Sequence, residues 1–308
     1  MKTIIRLSVL LAILTIALVS CEKDKKTEET TVLKITMTTK PLNEVYFYIY
    51  GSGIAAIDFG DEFGKQTVNI MDYPNSIGKF QHHYPDEASR TITIYGENIT
   101  HFLCSGQGQL TSLDVSKGTE LTYLECVNNQ LTILDVSNNT ALTYLDCSIN
   151  QLTSLDVSNN TALIHLGCTL NQLTSLDLSS CTALTMFWCH SNNQLTSLNF
   201  SGCTILTELY CYGNDLISLN LSSNVALELL ICRRNPLTGL DLSNNTALRY
   251  LDCRWSEFDA DVLDALFETL NDNEENKIIN IYGNPGISDC NPNIARNKSW
   301  LFNNSSQI

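Results

Sequence analysis

Few side chains in this sequence of 308 residues have the types and spacing that could carry out chemistry. Cys189 and His190 come closest, because a thiol beside an imidazole could act as a nucleophile activated by a base. Neighbouring residues of a strand point to opposite faces, so we expect Cys189 to face the core and His190 to face outward. The sequence contains neither a G-x-S-x-G nor an H-E-x-x-H motif. We therefore predict a protein that is not an enzyme and uses no cofactor.

The cysteines follow a regular pattern that indicates packing. Twelve cysteines are present, and no two form a C-x-x-C pair, which weighs against zinc. Cys181 and Cys203 occupy one turn position in adjacent copies of a repeat, and the sequence leaves open whether they form a disulfide, which geometry decides. Eight others recur every 21 or 22 residues and are predicted to be buried, reduced and inert. These eight are Cys104, Cys126, Cys147, Cys168, Cys189, Cys211, Cys232 and Cys253.

The cysteines belong to a unit that the chain repeats. In one copy, Leu145 and Cys147 are two residues apart and share a strand face, while Leu152 and Leu155 line a second side. One copy cannot bury these residues alone, but stacked copies form a continuous core. The period and the L-x-x-L-x-L pattern resemble leucine-rich repeats, which predicts a leucine-rich-repeat solenoid, mainly β with parallel strands. Copies begin at Ile99, Leu121, Leu142, Leu163, Leu184, Leu206, Leu227 and Leu248.

Two polar columns accompany the repeats. The first contains inward amides that must be hydrogen-bonded to turn backbone, and it comprises Asn129, Asn150, Asn171, Asn193, Asn214 and Asn235, with Ser256 at its end. The second contains Asp114, Asp135, Asp156, Asp177, Asn199, Asn220 and Asp241, each followed two positions on by Ser. We expect turn hydrogen bonds to offset the repulsion between these carboxylates. Calcium binding is the alternative, although the glycine-rich calcium-repeat signature is absent.

The N-terminus carries signals for export and attachment. Residues 1–20 place Lys2 and Arg6 before a short apolar run, as in a signal peptide. Residues 18–21, LVSC, resemble a bacterial lipobox, which implies that Cys21 is lipidated. Residues 21–31 form a charged tether whose start resembles the export signal of surface lipoproteins in some Gram-negative bacteria. The resemblance implies an outer-membrane protein that is anchored by lipid and faces the cell exterior.

Residues 32–98 lie outside the repeat pattern and are predicted to form a small β-sandwich. Its turn Ile57–Asp61 resembles that of PKD-like bacterial surface domains. His82 and His83 suggest a metal site but lack acidic or Cys partners at ligand spacing. Five strands are predicted, at Val32–Thr38, Val45–Tyr50, Ile54–Phe59, Thr67–Met71 and Thr91–Tyr95.

The repeats occupy residues 99–257, and residues 258–308 are predicted to cap them. Apolar residues from Val262 to Leu270 have helical spacing. A strand at Lys277–Tyr282, a turn at 284–286 and a short helix at Ile294–Trp300 complete the predicted cap. Trp300 is predicted to be a packing anchor and not a binding residue.

Charge limits the partners. The formal charge is −15, and the part after residue 20 carries −17 because Lys2 and Arg6 are removed, which disfavours nucleic acid. The whole layout resembles the leucine-rich-repeat surface lipoproteins of Gram-negative gut and oral bacteria. That resemblance implies a non-catalytic protein that binds a protein or carbohydrate on a host or bacterial surface, in adhesion. A structural or scaffold subunit of an outer-membrane assembly is the alternative.

The binding surface is predicted on the concave side of the repeats, where residues flanking the second Leu and the Cys point outward; we call this surface the strand face. Tyr, Trp and Arg dominate interface energetics, although strand propensity also favours the aromatics. Trp188, Tyr210 and Tyr212 should form its centre, beside a one-residue insertion at Ser191–Asn193 that should bulge its edge. The predicted ligand-binding residues are Tyr123, Tyr144, His165, Trp188, Tyr210, Tyr212, Arg233, Tyr250 and Arg254, and Glu125, Asp146, His190 and Asp252 lie among them.

Overall fold

The structure is a computed structural model that describes residues 33–72, 78–273 and 276–303. The chain from Leu33 onward forms one compact unit. The predicted signal peptide, the tether and Cys21 lie outside the described residues.

Six strands precede the repeats, and their alternating burial explains why they form. In the first strand Leu33, Ile35 and Met37 are buried and the residues between them are more exposed, which is the pattern of a strand with one face on a core. Five strands lie close to their predicted positions, and the strand at Lys79–Ala88 was not predicted. The strands are β1 (Leu33–Thr39), β2 (Leu42–Gly51), β3 (Gly53–Asp58), β4 (Lys65–Ile70), β5 (Lys79–Ala88) and β6 (Thr91–Gly96).

Short strands then recur along the repeats. Most contain three residues, as expected for a solenoid whose coils turn tightly on both sides. They are β7 (Ile99–Leu103), β8 (Leu110–Asp114), β9 (Tyr123–Glu125), β10 (Tyr144–Asp146), β11 (His165–Gly167), β12 (Ser175–Asp177), β13 (Met186–Trp188), β14 (Ser197–Asn199), β15 (Glu208–Tyr210), β16 (Leu229–Ile231) and β17 (Tyr250–Asp252).

The C-terminal region adds α1 (Ala260–Thr269), β18 (Lys277–Asn280), a 3₁₀ turn (Pro285–Ser288), α2 (Asn293–Arg296) and β19 (Trp300–Phe302). The prediction of a helix over Ile294–Trp300 is wrong at its end, because Trp300 begins a strand that pairs with β18. Trp300 is fully buried and its indole Nε1 donates to the Asn271 carbonyl at 2.9 Å, which confirms it as a packing anchor.

One sheet runs through the whole described chain. Its twelve strands have the order β19-β18-β17-β16-β15-β13-β11-β10-β9-β7-β2-β5. The pairs from β7 to β19 are parallel, whereas β7–β2 and β2–β5 are antiparallel. A second sheet of order β4-β3-β6-β1-β8 includes β8 from the first repeat copy. The N-terminal region and the repeats therefore share both sheets. The first coil of the solenoid pairs with strands of the N-terminal region, so its edge is not open.

Leucine and cysteine fill the core as the period predicts. Leu145 and Cys147 have no solvent exposure, and their counterparts in the other coils are equally buried. All eight repeat cysteines are free thiols with at most 1% exposure, which confirms that they are buried and reduced. Cys181 and Cys203 are also free, and each thiol lies against a backbone carbonyl of the preceding coil. The structure therefore contains no disulfide between these two residues.

Buried asparagines tie each coil to its neighbour. Asn150 Nδ2 donates to the carbonyls of Cys126 and Cys147 at 3.0 Å, and its Oδ1 accepts from Leu131 N at 3.0 Å. Such bonds satisfy backbone groups that the tight turn leaves unpaired. The predicted position of Asn193 in this column is wrong.

Asn192, not Asn193, occupies the column. Asn192 is fully buried and donates to the carbonyls of Cys168 and Cys189, whereas Asn193 is exposed. The inserted residue follows the column, in the turn where Leu195 N donates to Asn192 O at 2.7 Å. The neighbouring strands β13 and β15 stay in register, so the insertion lies away from the strand face.

Candidate ligand-binding face

The strand face carries three columns of outward side chains, because the short parallel strands pair residue to residue. The first column runs Tyr123, Tyr144, His165, Met186, Glu208, Leu229 and Tyr250. The second runs Glu125, Asp146, Gly167, Trp188, Tyr210, Ile231 and Asp252. The third, beyond the cysteines, runs Val127, Ser148, Thr169, His190, Tyr212, Arg233 and Arg254. All of the predicted binding residues thus occupy positions on this one face.

Ring contacts join six residues of this face, and we call these residues the aromatic ladder. The Tyr123 and Tyr144 rings stack 4.1 Å apart at 3°, and Tyr144 stacks on His165 at 4.4 Å. His165 and Trp188 meet edge to face at 4.5 Å, and Trp188 and Tyr210 at 6.0 Å. The ladder is His101, Tyr123, Tyr144, His165, Trp188 and Tyr210. His101 was missed, although it occupies the third position of the first copy, where later copies have Tyr.

Acidic side chains border the ladder. The Tyr123 hydroxyl donates to Glu125 Oε2 and the Tyr210 hydroxyl to Glu208 Oε2, both at 3.1 Å. Burial is the main cause that raises the pKa of both tyrosines, and neighbouring groups that include these carboxylates raise it further. Burial also lowers the pKa of His165, so this ring is neutral at pH 7. The ladder is therefore an uncharged aromatic surface with carboxylates at its sides.

The centre of the strand face contains a glycine and several polar atoms without partners. Gly167 pairs in register with Trp188, and a Cβ added to it would lie 2.6 Å from Asp146 Oδ1. Around it, His165 Nε2, Thr169 Oγ1 and Trp188 Nε1 are buried and have no hydrogen-bond partner among the described residues. Leaving a buried polar atom unpaired costs about 1–3 kcal/mol. The Asp146 carboxylate therefore occupies the space that a side chain of Gly167 would fill.

Two of the predicted binding residues are less accessible than predicted. His165 is 7% exposed and Arg254 is 5% exposed, because neighbouring side chains cover them. Arg254 Nε and Nη2 both donate to the buried Asp252 carboxylate at 2.8 Å. A bidentate pair of this kind fixes the guanidinium in place. Asp146 is also buried, so these four side chains occupy the predicted outward positions but are covered by neighbouring groups.

His190 and Tyr212 form a second, shorter stack. Their rings are 4.1 Å apart at 9°, and the Arg233 guanidinium lies 4.7 Å from the Tyr212 ring centroid. Burial and the Arg233 charge lower the pKa of His190 to about 4. Cys189, next to His190, is fully buried and its pKa is raised well above the usual thiol value by burial. The thiol and the imidazole therefore face opposite sides of the strand, as predicted, and do not form a nucleophile–base pair.

The other predicted polar features have local partners. The backbone N–H of Ser158 donates to Asp156 Oδ1 at 2.9 Å, and the other members of the Asp column accept the same bond, which confirms the predicted turn hydrogen bonds. His82 Nε2 lies 2.6 Å from Asp61 Oδ2, while His83 points away and lies 3.5 Å from Glu44. Across the described ranges no three His, Cys, Asp or Glu side chains form a group suited to a metal ion.

A second column of buried asparagines was not predicted. Asn139 Nδ2 donates to the carbonyls of Val115 and Gly118, on the side of the coil opposite the strand face. Asn160, Asn224 and Asn245 repeat this pattern, and Cys181 and Cys203 take the same position in the two coils between them. The sequence does carry a pattern for this column, because several copies contain N-N-T near their ends. The two asparagine columns and the Asp column all serve the turns, so the strand face remains the candidate for binding.

Within the described residues, the helices are too short and too polar to cross a membrane. No protein-family model matches the chain, and no curated protein matches it either.

Solved structures do resemble the chain. It is similar to the functional domain of InlJ from Listeria monocytogenes, which includes a cysteine ladder, with 39% identity and a TM-score of 0.53 over 60% of this chain and 39% of that one. It also matches the leucine-rich effector YopM from Yersinia pestis at 23% identity and a TM-score of 0.45, covering 54% and 44% of the two chains. The leucine-rich-repeat ectodomain of a receptor kinase from Arabidopsis thaliana matches at 21% identity and a TM-score of 0.45, covering 61% of this chain and 24% of that one.

This chain thus spans less than half the length of the Listeria chain that it resembles. The Listeria domain has both the similarity of sequence and the cysteine ladder, which matches the column of buried thiols found here. Together with the parallel strands and the period, these findings establish the fold: the chain is a leucine-rich-repeat solenoid, mainly β with parallel strands and a short helical and strand region at its C-terminus.

Proposed function

We propose that this protein is a binding protein that holds a protein ligand on the strand face, with Trp188 and Tyr210 at the centre of the contact. The single observation that carries the proposal is that the aromatic ladder contains or adjoins buried polar atoms near Gly167 that have no hydrogen-bond partner among the described residues. Folding alone gains nothing from leaving His165 Nε2, Thr169 Oγ1 and Trp188 Nε1 without partners. A ligand that shifts the indole ring can supply hydrogen bonds to these atoms.

The geometry favours a protein over a carbohydrate as the ligand. A sugar ring packs on the exposed face of an aromatic ring, but the faces of Tyr144 are stacked against Tyr123 and His165 at 4.1 and 4.4 Å. What the ladder offers to a partner is ring edges and hydroxyl groups, bordered by carboxylates. Such half-buried aromatic surfaces are typical of the centres of protein interfaces.

We further propose that the protein is anchored by lipid at Cys21 to the outer membrane, faces the exterior and acts in adhesion. The lipobox-like residues 18–21 and the charged segment behind them support this proposal. Cys21→Ser followed by cell fractionation tests the anchor, because retention in the membrane fraction would contradict it. Protease treatment of intact cells tests the orientation, and full protection would indicate the periplasmic side.

Capture of ligands by the protein without its first 21 residues tests the binding proposal. Matrix proteins, glycans and the producer's own envelope proteins are offered in parallel, and each is repeated with Trp188→Ala. We expect capture of a protein that the variant fails to retain. Capture of glycans alone would overturn the preference for protein, and capture of envelope proteins that is insensitive to Trp188→Ala would favour a scaffold subunit instead.

A further inference from the structure

Arginine is concentrated at one end of the solenoid, although the chain as a whole carries a formal charge of −15. Arg90 and Arg296 are the only other arginines in the described ranges. Arg233, Arg234, Arg249 and Arg254 all lie in the last two repeats, within about one repeat length of each other. A local concentration of positive charge of this kind attracts acidic groups.

Three of these arginines pack against aromatic rings. Arg233 lies 4.7 Å from the Tyr212 ring centroid, while Arg234 and Arg254 lie 5.0 and 5.2 Å from that of Trp255. Tyr282 meets the Trp255 ring edge to face at 5.8 Å. We define the arginine–aromatic patch as Tyr212, Arg233, Arg234, Trp255 and Tyr282. It borders the third column of the strand face.

The patch contains features that folding does not require. Trp255 is 36% exposed and Tyr282 is 51% exposed. The positive φ angles of Arg234 and Trp255, 54° and 50°, belong to the turn of the repeat, because the equivalent residues Asn128, Ile149, Leu170, Ser191 and Gly213 also have positive φ. In the last two coils this turn position carries a guanidinium and an indole, which the turn itself does not need.

The arrangement selects the chemistry of the ligand. Guanidinium groups lie over the Tyr212 and Trp255 rings, which leaves less of these faces for sugar stacking, and their N–H edges are suited to planar carboxylates. Arg254 is already paired with Asp252, and Arg233 Nη1 lies 3.7 Å from that same carboxylate. Arg234 is exposed, and its side chain pairs with no carboxylate of the described residues. The patch therefore has an excess of positive charge that is centred on Arg234.

We propose that the arginine–aromatic patch is a second binding site, which takes an acidic peptide segment through bidentate contacts from Arg234. Arg233 adds charge from the neighbouring coil, and Trp255 holds the Arg234 guanidinium in position. The site does not depend on the ladder around Trp188, so it stands or falls separately from the proposed function.

A fluorescein-labelled deca-glutamate peptide tests the site by fluorescence anisotropy in low salt. We expect Arg234→Glu to weaken binding at least about tenfold and Trp255→Ala to weaken it about threefold or more. Arg296→Glu is the matched control: Arg296 is also exposed and lies 5.4 Å from a Phe302 ring, but outside the patch. It changes the net charge equally and should alter binding by less than about twofold. Thermal melts of each variant show that the fold is retained.

Three results would overturn the proposal. They are absence of peptide binding by the unaltered protein, an equal loss in Arg234→Glu and Arg296→Glu, and binding of dextran sulfate that the peptide fails to displace. Trp188→Ala should leave the affinity for the peptide unchanged. If that variant loses its protein ligand while the patch variants keep it, the proposed function stands without any contribution from the patch to that ligand.

Discussion

The indole ring of Trp188 packs edge to face on the imidazole of His165, with ring centroids 4.5 Å apart and planes at 89°. The two residues belong to adjacent coils, and Gly167, two residues after His165, is in register with Trp188. The contact therefore joins an imidazole of one coil to an indole of the next. It places the largest side chain of the strand face between His165 and Tyr210, next to the end of the aromatic ladder.

Replacing the central aromatics should weaken ligand binding without unfolding the protein. We expect Trp188→Ala and Tyr210→Ala each to cost at least about 1 kcal/mol in affinity, because such residues dominate interfaces. Both are half-buried on the face and contribute little to the core, so the melting temperature should change little. Titration calorimetry with the captured ligand measures the loss. Phe63→Ala, which removes an exposed ring in the N-terminal region, serves as the control, and normal binding by both test variants would refute the assignment.

Adding one methyl group at Gly167 should destabilise the centre of the face. A Cβ there would lie 2.6 Å from Asp146 Oδ1, whose carboxylate is held by a bond from Ser148 N. Overpacking of this kind costs about 1–3 kcal/mol. Urea unfolding of Gly167→Ala measures it, and Gly239→Ala is the control because no atom lies within 4 Å of its Cβ position. Equal unfolding midpoints for the two variants would contradict the described packing.

Asn192 and Asn193 should differ sharply when replaced. Asn192→Ala removes bonds to the carbonyls of Cys168 and Cys189 and to Leu173 N, and leaves buried backbone groups unpaired. We expect a loss of at least about 2 kcal/mol in the free energy of unfolding. Asn193→Ala changes an exposed side chain and should lie within about 0.5 kcal/mol of the unaltered protein. Similar losses of stability in the two variants would contradict the assignment of Asn192 to the column.

The repeat thiols should be unreactive in the folded protein. Burial raises the pKa of Cys147, and only the thiolate reacts with alkylating reagents. We expect labelling of Cys290, which is partly exposed, to precede that of Cys147 and Cys168 in a mass-spectrometric time course. Cys147→Asp should destabilise the protein severely because it buries an unpaired charge. Rapid labelling of the native repeat cysteines would argue against the described core.

Acid should weaken the turns through the Asp column. Hydrogen bonds from Ser158 lower the pKa of Asp156 below its usual value, and Asp135, Asp177 and Asp241 are similar. A carboxyl whose pKa is lower in the folded state stabilises the fold above its unfolded pKa of about 3.9, and that contribution is lost as the pH falls through the folded pKa. Urea midpoints should therefore fall below about pH 4.

The chain itself provides the control for this pH effect. Asn199 and Asn220 hold the Asp position and accept the same bond from Ser201 N and Ser222 N, at 3.3 and 3.2 Å. Asp156→Asn should therefore keep the turn but remove its share of the acid sensitivity. The measurement is the difference between urea midpoints at pH 7 and pH 3. An unchanged difference in a variant with several Asp→Asn replacements would show that the column does not cause the loss.

Much of the fold could be predicted because every coil of the repeat must bury the same pattern of side chains. The period specifies where Leu and Cys must be buried, and strand alternation then specifies which residues face outward. The prediction of the Asn column was wrong at one coil, because counting from the leucines does not show whether the extra residue lies before or after the Asn. Counting from Cys189 gives Asn192, three positions on, as in the other coils.

The predictions at the ends were weaker because those elements do not repeat. The strand Lys79–Ala88 contains a mostly exposed alternation with few apolar residues, and β19 follows a helix after three residues. Pairing with β2 and with β18 decides that they are strands. Long-range pairing of this kind leaves little trace in a local pattern.

The sequence by itself determined the solenoid, the cysteine ladder and the choice of the strand face, since these follow from residue type and spacing alone. Only the tertiary structure decided which residues of that face are accessible. His165 and Arg254 occupy outward positions, yet both are buried. His165 packs against Tyr144 and Trp188 of the adjacent coils, whereas Arg254 pairs with Asp252 and lies near Trp255 within its own coil. The close approach of the Asp146 carboxylate to Gly167 and the packing of Arg234 near Trp255 likewise arise between coils. Side chains from different repeats meet only after the coils are stacked, so distances across coils, and not spacing along the chain, determine the binding surfaces.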